Sequence, residues 1–199
     1  TTGKPKGALG THRNICNNLL NAAAGQARSF LRRGEMPPAP DPNGPQRVML
    51  LSVPLLHAPG CHSILVPNYF SGGKLVIIHK WNPEHALELI DRERVTTFGG
   101  VPAMVWQVLE SPMFDKFDTS SVEAIGYGGA PSAPDLVKRI KQQFPKVHPS
   151  NGYGLTETSS ITTQNLAEDY VAKPDSAGPA VPTCDLRVVD EDGKDVPPG

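Results

Sequence analysis

The chain has 199 residues and 38% hydrophobic content, enough for one substantial core or two small ones and ordinary for a globular protein. Nineteen basic and twenty acidic residues give a formal net charge of -1, so no global field draws the chain to nucleic acid or to an acidic membrane surface, and any anion must be held by local groups. No apolar run approaches the ~18–20 residues of a membrane span, and nothing at the start has the charged-then-apolar order of a signal peptide. Cys16, Cys61 and Cys184 are odd in number, far apart and in no CxxC pair, which argues against a disulfide framework and a structural zinc site and makes a reducing cytoplasm the natural compartment.

After the opening string TTGKPKG, Thr11 is a helix N-cap, and Ile15, Leu19, Leu20 and Ala23 fall at helical spacing in a helix predicted through about Leu31. The stretch 37–45, PPAPDPNGP, is too rich in proline for either regular element and reads as a surface excursion. RVMLLSV (47–53) and KLVII (74–78) are runs of buried-strand type, with a helix expected between Gly60 and Phe70. Asn82 and Pro83 then start a helix over PEHALELIDRERV. A strand TTFG (96–99), a helix from Pro102 to about Glu110, a strand VEAIGYG (122–128), an amphipathic helix over 134–144 and a short strand over 146–151 follow.

Strands alternating with helices predict an α/β fold with a mostly parallel sheet flanked by helices. The expected division is 1–165 for this unit and 166–199 for the start of a short β-rich tail; beyond Thr158 the sequence turns polar, with strand candidates at 161–165 and 185–190 and a hairpin turn at EDGKD, 191–195. There is no internal repeat and no heptad pattern. The chain begins at Thr1 without a methionine and stops on Pro197, Pro198 and Gly199 just after this unfinished hairpin, as expected of a piece of a longer protein.

Three strings carry chemistry. TTGKPKG concentrates hydroxyls, glycines and lysines in seven residues, which suits a loop wrapping a polyphosphate with backbone N–H groups, hydroxyls and ammonium charge; it does not fit the Walker pattern GxxxxGK[ST]. GYGGAP (126–131) puts adjacent glycines between a strand and a helix, where a ligand can lie against bare backbone or where a tight connection needs positive φ. NGYGLTET (151–158) follows a predicted strand and offers a ring, a hydroxyl and a carboxylate at the carboxyl end of a parallel sheet, where ligands collect. Tyr153 could stack on a base, Thr156 could bond a phosphate oxygen, and Glu157 could hold Mg2+, which prefers oxygen ligands.

The order of these strings, with YGLTE about 22 residues after GGAP, resembles the adenylate-forming (AMP-binding) superfamily of acyl-CoA synthetases, firefly-type luciferases and peptide-synthetase adenylation domains, over essentially the whole chain. VPLLHAPG (53–60) is similar to the family segment that places a histidine or aromatic residue, here His57, at the acyl and adenylate pocket, and PDSAGPAVP (174–182) to the stretch before the ribose-binding motif. A metal reading of His57, Cys61 and His62 fails, because histidines five residues apart do not share a helix face and no further ligand has the right spacing. His12 reads as a helix-start residue, and Lys138 and Lys141 as part of a solvated helix face, so nothing supports nucleic-acid binding.

The resemblance implies that the parent protein activates a carboxylic acid with ATP, releases pyrophosphate and passes the acyl group to coenzyme A. It implies that Thr1, Thr2, Gly3 and Lys6 cradle the β- and γ-phosphates, that Gly129, Ala130 and Pro131 line the adenine, and that Tyr153 packs on it. Asn151 and Gly152 border the nucleotide and acyl pockets, Gly154 lies on the nucleotide side, and Thr156 bonds the α-phosphate with Glu157 on Mg2+. His57, Gly100, Val101, Met104 and Gly128 belong to the acyl side. The apolar cluster Val101, Met104, Val105 and Trp106, with no carboxylate ready for an ammonium group, favours a fatty or aromatic acid over an amino acid.

The family's hydroxyl and glycine positions before Thr1, its ribose-binding aspartate and its C-terminal catalytic lysine have no counterpart here. The expectation is that the chain alone cannot complete adenylation, each missing charge-assisted contact being worth about 1.5–3 kcal/mol. Two alternatives share the fold: a ligase loading a carrier protein instead of coenzyme A, and a non-catalytic nucleotide-binding module. Nothing in the sequence sets an oligomeric state.

Overall fold

The computed structural model describes residues 3–4, 6–39 and 41–197. The expected α/β architecture is present, because the apolar runs pair as strands and the segments between them cap themselves as helices. The strands are β1 (Val48–Leu51), β2 (Lys74–Ile77), β3 (Thr97–Gly100), β4 (Ala124–Gly128), β5 (His148–Leu155) and β6 (Ser160–Leu166). The helices are α1 (His12–Arg32), α2 (Val66–Phe70), α3 (Pro83–Glu93), α4 (Pro102–Leu109), α5 (Pro134–Gln143) and α6 (Ala167–Ala172).

The six strands lie in the order β2-β1-β3-β4-β5-β6, with five parallel and only β6 antiparallel to its neighbour β5. The path from β1 to β2 runs one way along the sheet and the later crossovers run the other. Right-handed crossovers then force opposite faces: α3, α4 and α5 pack together on one side, and α1, α2 and the turn before α2 on the other. The reversal falls between β1 and β3, where an open parallel sheet leaves a crevice at its carboxyl edge.

The α3–α5 face is apolar. Leu87, Ile90, Val105, Val108, Ile125, Leu136 and Ile140 are fully buried in one cluster. Each such side chain contributes about 1.5–3 kcal/mol by leaving water. The three helices start alike, with Pro83, Pro102 and Pro134 at the first helical position, where a missing N–H costs nothing and the fixed φ suits the helix. Asn82 caps α3 by accepting from the His85 N–H at 2.8 Å.

The opposite face departs from the sequence reading. Thr11 does cap α1, accepting from the Asn14 N–H while Asn14 Oδ1 accepts from the Thr11 N–H at 2.9 Å. However, the apolar set Ile15, Leu19, Leu20 and Ala23 is not the buried face, and Leu20 stays 61% exposed. The buried residues of the helix are Asn18 and Asn21. The reason lies in β6, whose contacts with α1 are polar. Asn18 Oδ1 accepts from the Ile161 N–H at 3.0 Å, and Arg28 donates to the Gln164 carbonyl at 3.3 Å. Gly25 lets the helix approach the Gln164 side chain.

The helix expected between Gly60 and Phe70 is in two registers: a π-helical turn over Pro59–Leu65, then α2. Beyond α6, segment 174–182 runs along β6, with the Val181 N–H donating to the Thr162 carbonyl at 2.9 Å and the Gln164 N–H to the Pro179 carbonyl at 3.2 Å. These bonds cover what would otherwise be an open sheet edge. The strand expected at 185–190 does not form; there the backbone makes an isolated bridge, Val189 to Asp195, around the EDGKD turn. The 37–45 excursion has no regular element among its described residues, and Asp41 organises a turn by accepting from the N–H groups of Asn43 and Gly44. Among the described residues, no helix is long and apolar enough to cross a membrane.

Candidate functional site

The carboxyl ends of β1, β3, β4 and β5 bring the separate strings to one edge. The strand carrying YGLTET is longer than its composition predicts: β5 runs through Leu155, so Tyr153, Gly154 and Leu155 lie within it and not beyond its end. The pairing with β4 stops at Gly128 opposite Gly152. From there on β5 pairs only with β6, projecting past the parallel sheet, and Tyr153 is exposed there. A Thr156–Thr158 turn closes the hairpin and leaves Thr156 and Glu157 exposed.

The two glycines of GGAP act differently. A Cβ on Gly128 would collide with the Gly152 carbonyl, so its absence allows the two strands to meet closely. Gly129 has φ of 73° with open space around its Cα, so it turns the chain and leaves bare backbone facing outward. Gly129, Ala130 and Pro131 are exposed and follow directly on the β4 residues Tyr127 and Gly128, which pair with Asn151 and Gly152; Gly154 pairs with Ile161 of β6. Bare backbone, an exposed ring, a hydroxyl and a carboxylate fit a flat, polyanionic nucleotide with its metal ion.

At the neighbouring switch point, Ser52 Oγ donates to the Gly99 carbonyl at 2.5 Å and ties β1 to β3. Gly100 has φ of 140°, and a Cβ there would stand 2.6 Å from Met104 Sδ and 2.8 Å from Ser52 Oγ, so Gly100, Val101 and Met104 form one packed corner. Val105 and Trp106 do not share that corner's role. Val105 is fully buried and Trp106 packs against the core, which assigns both to the helix layer. His57 is exposed in the loop after β1; its N–H donates to the Pro54 carbonyl at 3.1 Å, in a bend that requires Gly60 because a Cβ would collide with that carbonyl.

Of the opening loop, Thr1 and Thr2 lie outside the described residues, while Gly3 and Lys6 are exposed, Gly3 with φ of 100°. The loop's end reaches the YGLTET hairpin: a Cβ on Gly10 would sit 3.6 Å from Ser159 Oγ.

The sequence reading missed Ser159 and Ser160. Both have positive φ, 55° and 111°, and both are buried. Such a backbone costs about 1–2 kcal/mol for a residue with a Cβ and persists where surroundings over-determine it. Those surroundings are His62, whose Nδ1–H donates to the Ser159 carbonyl at 3.2 Å, and Ser63, whose Oγ is 2.6 Å from Ser160 Oγ. The signal was a pair of serines directly after TET, at a hairpin corner that usually calls for glycine. Tyr127, next to this edge on β4, packs edge-on against Tyr170 at 5.9 Å, and burial pushes its phenol well above the usual range.

A doubly wound sheet whose glycine-bearing turns and hydroxyl–carboxylate hairpin gather at its carboxyl edge defines an α/β protein of the class that collects ligands at that edge. Comparison with known proteins gives the family. The chain belongs to the adenylate-forming family described as "AMP-binding enzyme", whose profile matches residues 1–199. It is 29% identical over 201 residues to 4-coumarate–CoA ligase of Pinus taeda, covering 99% of this chain and 35% of that protein. Among solved structures it resembles the N-terminal domain of FACL13 from Mycobacterium tuberculosis, with TM-score 0.78 and 25% identity over 98% of this chain and 45% of that one. It also resembles o-succinylbenzoate coenzyme A synthetase of Bacillus subtilis in complex with ATP and magnesium, with TM-score 0.75 and 25% identity over 99% of this chain and 37% of that one. The chain spans about a third of the length of the curated relatives it matches.

Proposed function

We propose that the chain supplies the nucleotide site and part of the acyl site of an ATP-dependent ligase that joins a fatty or aromatic acid to coenzyme A. The observation that carries this reading is the register of β4 against β5. It sets Gly128 opposite Gly152, with the bare backbone of Gly129 following the one and Tyr153 the other, a few residues before Thr156 and Glu157. In this reading Gly129, Ala130, Pro131 and Tyr153 hold the adenine, with Asn151, Gly152 and Gly154 beside it. Thr1, Thr2, Gly3 and Lys6 cover the outer phosphates, and Thr156 donates to the α-phosphate. Glu157 is the ligand for Mg2+, which when bound neutralises phosphate charge. His57, Gly100, Val101, Met104 and Gly128 face the acid.

The chemistry asked of these residues is positioning and charge neutralisation, since a carboxylate attacks the α-phosphate without a strong base. The names of the relatives, a coumarate ligase among them, agree with an aromatic or other apolar acid.

The test is carboxylate-dependent ATP–pyrophosphate exchange by the complete gene product that carries this chain, across a panel of acids, followed by thioester formation. Exchange stimulated by a fatty or aromatic acid, with transfer to coenzyme A, is expected. Glu157→Gln and Thr156→Val should each lower exchange about 100-fold without changing the melting temperature, because both side chains are exposed. Transfer only to a phosphopantetheinyl carrier protein would replace this reading with a carrier-loading ligase, and absence of exchange with every acid tried would leave a nucleotide-binding module. The 199-residue chain alone is expected to show no exchange.

A further inference from the structure

The π-helical turn over Pro59–Leu65 stands between His57 on the acyl side and the Thr156–Thr158 turn on the nucleotide side, and its side chains bond Ser159 and Ser160, the two residues that follow that turn. Its register explains why. The Val66 N–H reaches back five residues to the Cys61 carbonyl, so the next bond of the series would need an N–H at position 67, where proline has none. The His62 carbonyl is thereby released, and Asn18 Nδ2 donates to it at 2.8 Å. The same Asn18 accepts from the Ile161 N–H through Oδ1. One side chain of α1 therefore joins the π turn to the first residues of β6.

His62 Nδ1–H completes the closure on the Ser159 carbonyl and Ser63 on the Ser160 hydroxyl. On the far side, the Ser159 N–H donates to the Thr156 carbonyl at 3.1 Å, and Thr158 Oγ1 is bonded to the backbone of Leu155 and to Thr162. The two strained serines thus have one set of holders, and those holders sit two to three residues after the bend at Gly60.

We infer that His62 and Ser63, with Asn18, are positioning residues that fix the Thr156–Glu157 turn relative to the His57 segment, so that nucleotide and acid are held at one distance. They touch no substrate; they act through the Ser159 carbonyl, the Ser160 hydroxyl and the Ile161 N–H. This rests on the functional reading above. It goes beyond that reading in assigning work to residues that lie outside the glycine, hydroxyl and carboxylate set.

The experiment uses two readouts on His62→Ala, His62→Asn and Ser63→Ala. The first is amide exchange at Ile161 in the complete gene product that carries this chain. The second is kcat and KM for acid-dependent adenylation by the complete gene product. His62→Ala should speed exchange at Ile161 and lower kcat about tenfold, with KM for the acid within about twofold, as misplacement of reacting groups does. His62→Asn, which can still present an N–H to the Ser159 carbonyl, should recover most of both. Ser63→Ala should shift both readouts the same way by less. Unchanged exchange at Ile161 would overturn the tie itself. Faster exchange with unchanged kcat would reduce the tie to a structural one, and a raised KM for the acid with unchanged kcat would make His62 a substrate contact; either overturns the inference. If the wild-type protein shows no acid-dependent activity, the functional reading fails, and exchange at Ile161 still decides whether the tie exists.

Discussion

The two faces of the sheet are built on different physics. On the α3–α5 side, contacts are apolar and interchangeable, and Leu87, Ile90, Ile125 and Ile140 are fully removed from water. On the α1 side, the interior is Asn18, Asn21, Ser160 and Thr162, each held by a directed hydrogen bond: Asn18 to Ile161, Asn21 to Thr183, Ser160 to Ser63 and Thr162 to Thr158. Apolar residues of that side, Leu20, Tyr69 and Phe70, face outward at 61%, 85% and 72% exposure. The first face supplies stability without caring about small shifts. The second defines positions, because a hydrogen bond fails when its groups slip by an ångström. The candidate nucleotide turn is attached to the second face.

The sharpest way to break this comparison is to remove one residue from each face. Ile125→Ala, beneath the GGAP turn, should cost about 2–5 kcal/mol in denaturant unfolding, the range for a large buried aliphatic residue. Asn18→Ala should cost about 2–4 kcal/mol although it removes no apolar surface, since it leaves the His62 carbonyl and the Ile161 N–H without partners. Leu20→Ala, on the same helix, is the counter-case and should stay within about 0.5 kcal/mol. If Leu20 were the costlier of the two, α1 would be seated by its apolar stripe after all.

A gentler test relieves strain on the positional face. Ser159→Gly should stabilise the chain by up to about 1 kcal/mol in thermal unfolding, because glycine accepts the φ of 55° that serine resists. The gain should be smaller than the strain itself, since glycine also loses more chain entropy on folding.

The smallest effect belongs to the periphery of the apolar face. Asp118 is held at a pKa of about 2 by hydrogen bonds from the Ser120 hydroxyl and N–H, and then by Arg94. A depressed carboxylate contributes above its unfolded pKa of about 3.9 and loses that contribution as pH falls towards 2. The stability difference between wild type and Asp118→Asn should therefore be full at neutral pH and vanish between about pH 4 and pH 2 in acid unfolding curves. A constant difference across that window would mean Asp118 acts by packing.

Much of the apolar face was legible in the chain itself. The prolines at the starts of α3, α4 and α5, the Asn82 cap and the short aliphatic runs of β1, β2 and β4 each announce their element through local geometry and periodicity. GGAP and YGLTET stood out as well, because small residues, hydroxyls and a carboxylate crowd into short strings, and the register of β4 against β5 brings the two strings to one edge. What escaped was the extension of β5 through Leu155. Glycine-rich strings read as turns, and only pairing with β6 makes this one a strand. Likewise, Val105 and Trp106 read as one cluster with Met104, but the helical period turns them to the other side, into the core.

By itself, then, the sequence determined the alternation of elements, the parallel sheet and the family, because these rest on local propensity and on strings a few residues long. Only the tertiary structure decided which face of α1 is buried, why the turn at 59–65 takes a π register, and what holds Ser159 and Ser160 at positive φ. Those features depend on partners far apart in the chain: Asn18 with His62 and Ile161, and His62 and Ser63 with Ser159 and Ser160. A buried polar group is satisfied by whatever the fold brings within reach, and no local pattern records that partner in advance.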